Sequence, residues 1–177
     1  MKTATSTLFT LIISLSAWSS TYAEVITIAE TGFIIENKIQ VNTNKATTWQ
    51  AFSEEVDLWW PKDHSWWGVD STLSIDSFAG GCFCEIGVEK SAEHMHIVFV
   101  DPPNQMRMTG GLGPLQGMGM FGALEFVFNE NETGTEVVMT YRVNGINPDG
   151  FEQLAPIVDQ VQAIQIEGLA TLLSTRQ

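Results

Sequence analysis

Residues 59–85 read WWPKDHSWWGVDSTLSIDSFAGGCFCE, and this stretch decides how the rest of the chain is interpreted. It holds four of the six tryptophans, in the pairs Trp59-Trp60 and Trp66-Trp67, and both cysteines. Because tryptophan is largely apolar but carries one N–H that needs a partner, four close together predict a semi-buried wall. Apolar runs on either side of Gly80-Gly81 predict two strands joined by a turn. We therefore expect the wall of an apolar cavity, leading into the sheet that lines it.

The N terminus has the pattern of a secretory signal peptide. Lys2 supplies the positive charge, residues 8–18 are mainly apolar, and Thr21-Tyr22-Ala23 places small residues where a signal peptidase reads them. The apolar segment is short and interrupted by serine and threonine, so we do not expect it to span a bilayer. Cleavage after Ala23 would leave a single domain, residues 24–177, in the periplasm or outside the cell.

The chain is acidic, which limits its partners. Its formal net charge of −13 becomes −14 once Lys2 is removed. This sign disfavours nucleic acid and anionic membranes as partners, and no stable membrane insertion is expected after signal cleavage. The sequence contains no P-loop, dinucleotide fingerprint or Ser-His-Asp order, so no cofactor is predicted. The pattern carries no signal of the oligomeric state.

Alternating apolar residues predict a fold made mainly of antiparallel strands. Strands are expected within residues 24–42, 73–78, 82–88, 93–100, 106–110, 123–128 and 136–144. Two short helices are expected between the first and second of these segments. One begins at Lys45 with Asn44 as its cap, and the other covers residues 53–60.

A long helix is predicted at the C terminus. Asp149 and Glu152 have the spacing of a capping box. Pro156 lies near the start, and proline in a helix interior costs roughly 3 kcal/mol. We therefore expect the regular helix to begin near Leu154.

Several landmarks along residues 33–175 match one known superfamily. They are Thr48-Trp49, Trp59-Trp60-Pro61, Gly80-Gly81 before a strand that ends in Glu85, the run from Val98 to Pro103, and the run from Gly110 to Leu115. In these features and in element order the chain resembles the START-like, or SRPBCC, superfamily with the Bet v 1 helix-grip fold. Bacterial members that are polyketide cyclase/dehydrase-like or heat-shock-ATPase-activator-like are the most similar.

The resemblance implies an α+β fold in which a curved antiparallel sheet wraps around a long C-terminal helix, with two short helices after the first strand. It also implies a cavity between sheet and helix. The superfamily contains binders, carriers, cyclases and chaperone cofactors, so the fold alone does not select an activity.

The first functional hypothesis is a non-enzymatic, exported module that binds a hydrophobic small molecule or lipid in this cavity. The expected wall residues are Trp60, Trp66, Trp67, Phe83, Met108, Leu124, Phe126, Met139 and Tyr141. The second hypothesis is a cyclase or hydrolase that uses His64, Glu85 or His94 in the same cavity. The third is a protein-interaction domain, although export would separate it from a cytosolic chaperone.

A metal site is a further alternative in the hairpin of Cys82, Cys84, His94 and His96, although no metal is predicted. If Cys84 pairs with His94 and Cys82 with His96, all four side chains share a face, and such a set suits zinc. If the register slips by one residue, Glu85 lies beside His94 and the cysteines face the other way. A disulfide or a pair of free thiols are the other possible states of the cysteines.

Overall fold

An eight-stranded antiparallel sheet forms the centre of the described chain, residues 22–176 of the computed structural model. The strands are β1 Tyr22–Ala29, β2 Gly32–Val41, β3 Ser71–Ile75, β4 Cys82–Gly87, β5 Lys90–Asp101, β6 Gln105–Gly110, β7 Phe121–Asn131 and β8 Gly134–Asn144. They lie in the order β1-β2-β8-β7-β6-β5-β4-β3. The α-helices of this part of the chain are α1 Lys45–Glu54, α2 Val56–Trp59, α3 Pro114–Gly117 and α4 Leu154–Ser174, and two short 3₁₀ helices, Lys62–His64 and Gly68–Asp70, lie between α2 and β3.

The long helix α4 packs against one end of this sheet. Its main neighbours are β1 and β2, and it also touches α1 and α2. The predicted α+β class is confirmed, and the arrangement is helix-grip-like. Within the described residues, no helix is long and apolar enough to cross a membrane.

Local chemistry set two helix starts where they were expected. The side chain of Asn44 accepts a hydrogen bond of 2.9 Å from the backbone nitrogen of Thr47, which caps α1. The long helix α4 begins at Leu154. Pro156 therefore lies in its first turn, where backbone N–H groups have no partner within the helix and proline is tolerated.

The sequence prediction was wrong about three details. The two short helices follow the second strand, because a two-residue turn at Glu30-Thr31 splits the first predicted segment into β1 and β2. Asp149 and Glu152 do not form a capping box, since Phe151 is buried between them and Gln153 is the N-cap residue. The glycine-rich segment between β6 and β7 contains the short helix α3, which the sequence pattern did not predict.

The core is dominated by aromatic rings between the sheet and the short helices. Phe52 of α1 lies with its ring centre 4.7 Å from that of Phe126 and 5.2 Å from that of Phe128. Helix α4 approaches α2 closely at Gly168, where the carbonyl oxygen of Trp59 occupies the place that a Cβ would take. A larger residue at position 168 would therefore push the two helices apart.

The predicted signal peptide falls almost entirely outside the described residues. Only its last two positions, Tyr22 and Ala23, are included, and they begin β1. The expected cleavage after Ala23 stays a prediction.

Candidate functional site

A cavity of about 340 Å³ opens between α4, the loop of residues 112–118 and the loop of residues 60–67. We call the last of these the tryptophan loop. Most of the cavity lining is apolar, and parts of its rim are exposed: Trp66 is 47% exposed, Met118 46% and Ile157 58%. Exposed apolar side chains around an open cavity are typical of a binding site.

Helix α4 supplies one wall of the cavity through its first three turns. The lining side chains are Leu154, Ile157, Val158, Val161, Gln162 and Gln165. This segment is apolar on two sides, because it faces the core with one side and the cavity with the other. No residue of this wall was among the sequence-based candidates, although the exposed Ile157 and Ile164 show that the helix has more apolar surface than its core contacts need.

The 112–118 loop forms a second wall and is held by a buried tyrosine. Its lining residues are Leu112, Gly113, Pro114, Leu115 and Met118. The phenol oxygen of Tyr141 accepts a hydrogen bond from the backbone nitrogen of Leu112 and donates one to the carbonyl oxygen of Gly110. Tyr141 is fully buried, and burial raises the pKa of its phenol to about 12, so it remains a neutral donor in ordinary buffers.

The tryptophan loop forms the third wall through Trp60, Asp63, His64, Ser65 and Trp66. Its far end is fixed by Glu85 of β4. The carboxylate of Glu85 accepts hydrogen bonds from the backbone nitrogens of Trp66, at 2.9 Å, and Trp67, at 3.0 Å. It accepts another from the hydroxyl of Ser71, just after the loop. One buried carboxylate thus holds the loop against the sheet.

The same carboxylate orients a histidine that lines the cavity. Nε2 of His94 lies 2.9 Å from Oε2 of Glu85, and both side chains are buried. Since every other neighbour of the carboxylate is a donor, Glu85 is an ionised acceptor and Nε2 of His94 donates to it. The lone pair of His94 then resides on Nδ1, for which no described residue provides a hydrogen bond.

The protonation states of the pair follow from this geometry. Burial favours the neutral form of Glu85, but the hydrogen bonds from Ser71, Trp66, Trp67 and His94 outweigh it and lower the pKa of the carboxyl. Burial also lowers the pKa of His94, and the attraction of Glu85 offsets this only in part. At neutral pH the pair is therefore a carboxylate and a neutral imidazole.

Other polar atoms around the cavity lack partners among the described residues. Nδ1 of His64 and the side-chain oxygens of Gln162 and Gln165 are buried and make no hydrogen bond there. Gln162 is 2% exposed and Gln165 6%. Buried polar groups are normally paired, so groups of this kind beside a cavity indicate a place for a polar part of a ligand or for water.

The structure places the sequence-based wall candidates in three different surroundings. Trp60 and Trp66 line the cavity. Trp67 lies against Lys90, whose Nζ is 5.1 Å from the ring centre. The remaining candidates are buried in the core and do not line this cavity: Phe83, Met108, Leu124, Phe126, Met139 and Tyr141. They fill the space between sheet and helices, whereas the cavity lies beside the first turns of α4.

Of the catalytic candidates, His94 and His64 both line the cavity, and Glu85 lies behind His94. The pairing of β4 with β5 explains why His94 lies beside Glu85. Cys82 pairs with His96, as in the first alternative, but a bulge follows, so that Cys84 pairs with Glu93 and Glu85 with Ala92. The extra residue turns His94 inward beside Glu85, while His96 stays exposed.

This arrangement contradicts the alternative of a metal site at the two cysteines and two histidines. Cys82 and Cys84 form a disulfide, so their sulfurs are not free thiolates. His94 is turned inward beside Glu85, whereas His96 stays on the outward face with its partner Cys82, so the two histidines do not share a face. Within residues 22–176, no group of three or more histidine, cysteine or acidic side chains is arranged to hold a metal ion.

Comparisons with known proteins place the fold and nothing finer. No model of a known protein family matches this chain, and no curated protein is similar to it. An uncharacterised protein from Rhizobium leguminosarum is similar in structure, with a TM-score of 0.58 and 16% sequence identity over 90% of this chain and 99% of that one. CalU16 from Micromonospora echinospora is similar with a TM-score of 0.54 and 14% identity, over 89% and 87% of the two chains.

A third similar structure, from Rhodobacter sphaeroides, has a TM-score of 0.59 and 13% identity, covering 88% of this chain and all of that one. At such identities the similarity shows a shared helix-grip-like fold. It assigns neither a ligand nor an activity.

Proposed function

We propose that this protein is an exported member of the START-like superfamily that binds a hydrophobic small molecule or lipid in the cavity beside α4. The observation that supports this proposal is an open, mainly apolar cavity of about 340 Å³ with an exposed apolar rim. An apolar cavity of about 150 Å³ is enough to hold benzene. The larger volume here suits a molecule of two or three rings, or part of an acyl chain.

The driving force would be removal of apolar surface from water, about 25 cal/mol per Å² before the costs of association. Most of the residues that line the cavity belong to α4 and the 112–118 loop. Export to the periplasm or beyond rests on the N-terminal pattern and is tested separately. N-terminal sequencing of secreted protein should begin at Glu24, and membrane-bound protein that still begins at Met1 would contradict it.

Binding is tested with N-phenyl-1-naphthylamine, an uncharged apolar dye whose emission rises in an apolar site. We expect saturable binding to the intact protein, with a change in tryptophan emission because Trp60 and Trp66 line the cavity. Val158→Phe should block the dye, since Val158 lines the cavity and a larger side chain would fill it. Filling open space should cost less stability than overpacking a core, which costs about 1–3 kcal/mol.

The matched control is Gln160→Phe, which adds the same ring to an exposed position of α4 outside the cavity. It should bind the dye like the parent. Met139 is not suitable for blocking, because its side chain is 2% exposed in the core and an enlarged residue there would overpack it. Absence of saturable dye binding by the parent, or equal binding by the Val158 variant, would contradict the proposal.

The Glu85–His94 pair favours a second candidate, a hydrolase-type or cyclase-type enzyme using the same cavity. A neutral imidazole held by a carboxylate is able to accept a proton from water or substrate. An apolar ester such as 1-naphthyl acetate tests this. Turnover that is lost in His94→Phe but kept in His96→Phe would support an enzyme, and equal slow hydrolysis by parent and variants would exclude it for this substrate class.

A further inference from the structure

We propose that the ligand of this cavity carries a hydroxyl group, and that Nδ1 of His94 accepts the hydrogen bond from it. This inference rests on the proposed binding function and adds the polar chemistry of the ligand. A purely apolar ligand would leave the buried polar atoms around the cavity without partners.

The hydrogen bond between His94 and Glu85 determines which nitrogen of the imidazole can accept one from a ligand. Nε2 of His94 is committed to Glu85 at 2.9 Å, so the free lone pair of this cavity-lining imidazole is on Nδ1, which is an acceptor. Glu85 cannot turn away, because it also holds the backbone of Trp66 and Trp67. The site therefore selects a donor on the ligand, such as the O–H of a phenol, enol or alcohol.

The polar group of the ligand must also satisfy other buried polar atoms of the cavity. Gln162 and Gln165 line the same cavity from α4, and each has a buried side-chain oxygen without a partner among the described residues. Each amide carries both an acceptor and an N–H₂ donor. A hydroxyl is a donor and an acceptor at once, so it suits an imidazole lone pair together with amide groups better than a carboxylate, which only accepts, would.

The charged side chains around the cavity restrict the charge of the ligand. Glu85 bonds to His94, and the other charged or titratable side chains in the cavity lining are Asp63 and His64. Neither α4 nor the 112–118 loop contributes a charged side chain to the lining. No lysine or arginine among residues 22–176 lines the cavity to neutralise a ligand carboxylate or phosphate, and Glu85 would repel one. These surroundings disfavour an anionic ligand and are compatible with a hydroxyl group.

The test compares two probes of nearly equal size, 2-naphthol and 2-methylnaphthalene, by calorimetry at neutral pH. We expect the affinity ratio of naphthol to methylnaphthalene to fall roughly 2- to 12-fold in His94→Phe, the loss of one hydrogen bond. Because the ratio is compared between variants, the different aqueous solubilities of the probes cancel. His96→Phe makes the same change at an exposed position of β5 and should keep the parental ratio.

A measurement on the unmutated protein covers the case in which His94→Phe fails to fold. In a long-range ¹⁵N–¹H spectrum, the Nδ1 signal of His94 should shift upfield with 2-naphthol and stay in place with 2-methylnaphthalene. If both probes bind but the signal shifts equally and the ratio is the same in every variant, the hydroxyl inference is overturned while the cavity function stands. If neither probe binds, the binding function itself fails.

Discussion

The phenol oxygen of Tyr141 lies 3.0 Å from the backbone nitrogen of Leu112, so a side chain in the middle of β8 holds the loop that forms one cavity wall. Its hydroxyl also donates to the carbonyl oxygen of Gly110 at 2.9 Å. The sequence pattern had placed Tyr141 in the wall itself. Tyr141 lies behind the wall instead, and its hydrogen bonds to the backbone of Leu112 and Gly110 hold the wall in shape.

Tyr141→Phe should therefore weaken both stability and binding. The change leaves the N–H of Leu112 and the carbonyl of Gly110 without this partner, which costs about 1–3 kcal/mol of unfolding free energy. Denaturant unfolding measures the first effect and dye titration the second. Thr140→Val removes a hydroxyl from the adjacent, outward-facing position of β8, where it makes only a long contact of 3.5 Å with Oε2 of Glu36. This control should keep the dye affinity of the parent and cost no more than about 0.5 kcal/mol of stability. Parental dye affinity in the Tyr141 variant would show that the loop is held by other contacts.

Glu85→Gln should destabilise the protein at neutral pH by about 2–4 kcal/mol, because an amide cannot accept from all the donors around a buried carboxylate. The pKa of Glu85 is lowered in the fold, so its contribution is present above its unfolded pKa, near 4.5, and is lost as pH falls through the lower folded value. The difference between parent and variant should thus shrink in acid.

Unfolding curves from neutral pH down to about pH 3 check this, because that range extends below the unfolded pKa of the carboxyl. Glu93→Gln is the control, because Glu93 is an exposed carboxylate on β5 and its loss should stay within about 0.5 kcal/mol. A difference between parent and Glu85→Gln that is constant across the pH range would mean that the carboxylate charge is not what stabilises the site.

Local signals explain which parts of the fold the sequence predicts well. The Asn44 cap and the start of α4 near Leu154 depend on a few neighbouring residues, and both were correct. The strands were found because each alternates over several residues. The register at His94 was not predictable, because a bulge depends on how β4 and β5 meet and leaves no mark in the alternation of either strand.

The cavity was misplaced for a related reason. Alternation shows which side chains of a strand face inward, but it does not show whether they meet another side chain or open space. Phe126 and Met139 face inward and meet a filled core, whereas Val161 and Gln162 on α4 meet the cavity. That distinction depends on where the helix separates from the sheet, which is a property of the whole fold.

The disulfide between Cys82 and Cys84 should contribute little to stability. It closes a ring of only three residues, and the loop-entropy relation gives about 1.6 kcal/mol for such a ring, against about 3 kcal/mol for 15 residues. Replacing both cysteines with serine should lower the unfolding free energy by no more than that. Denaturant curves with and without reductant measure it, and a parent protein that unfolds on reduction alone would contradict the expectation.

Asp159 is a buried acid on α4, and the pKa of its carboxyl is shifted in the opposite direction to that of Glu85. Asp159 is 8% exposed and accepts a hydrogen bond of 2.9 Å from Nδ2 of Asn37 on β2. Burial, joined by repulsion from Glu24, raises the pKa of Asp159, and the bond from Asn37 offsets this only in part. The side-chain oxygen of Asn37 is buried and has no partner among the described residues.

Asp159→Asn should raise the unfolding free energy at neutral pH by about 1 kcal/mol, because it removes a buried charge and lets the two amides pair reciprocally. A group whose pKa is raised by folding stabilises below its unfolded pKa and loses that contribution as pH rises through the folded value. The gain should therefore fade in acid, where Asp159 is itself protonated and donates to Asn37. Asp149→Asn, at an exposed position before α4, should show no such gain. A neutral-pH loss in the Asp159 variant would mean that the charge is stabilised by its surroundings and that α4 depends on it.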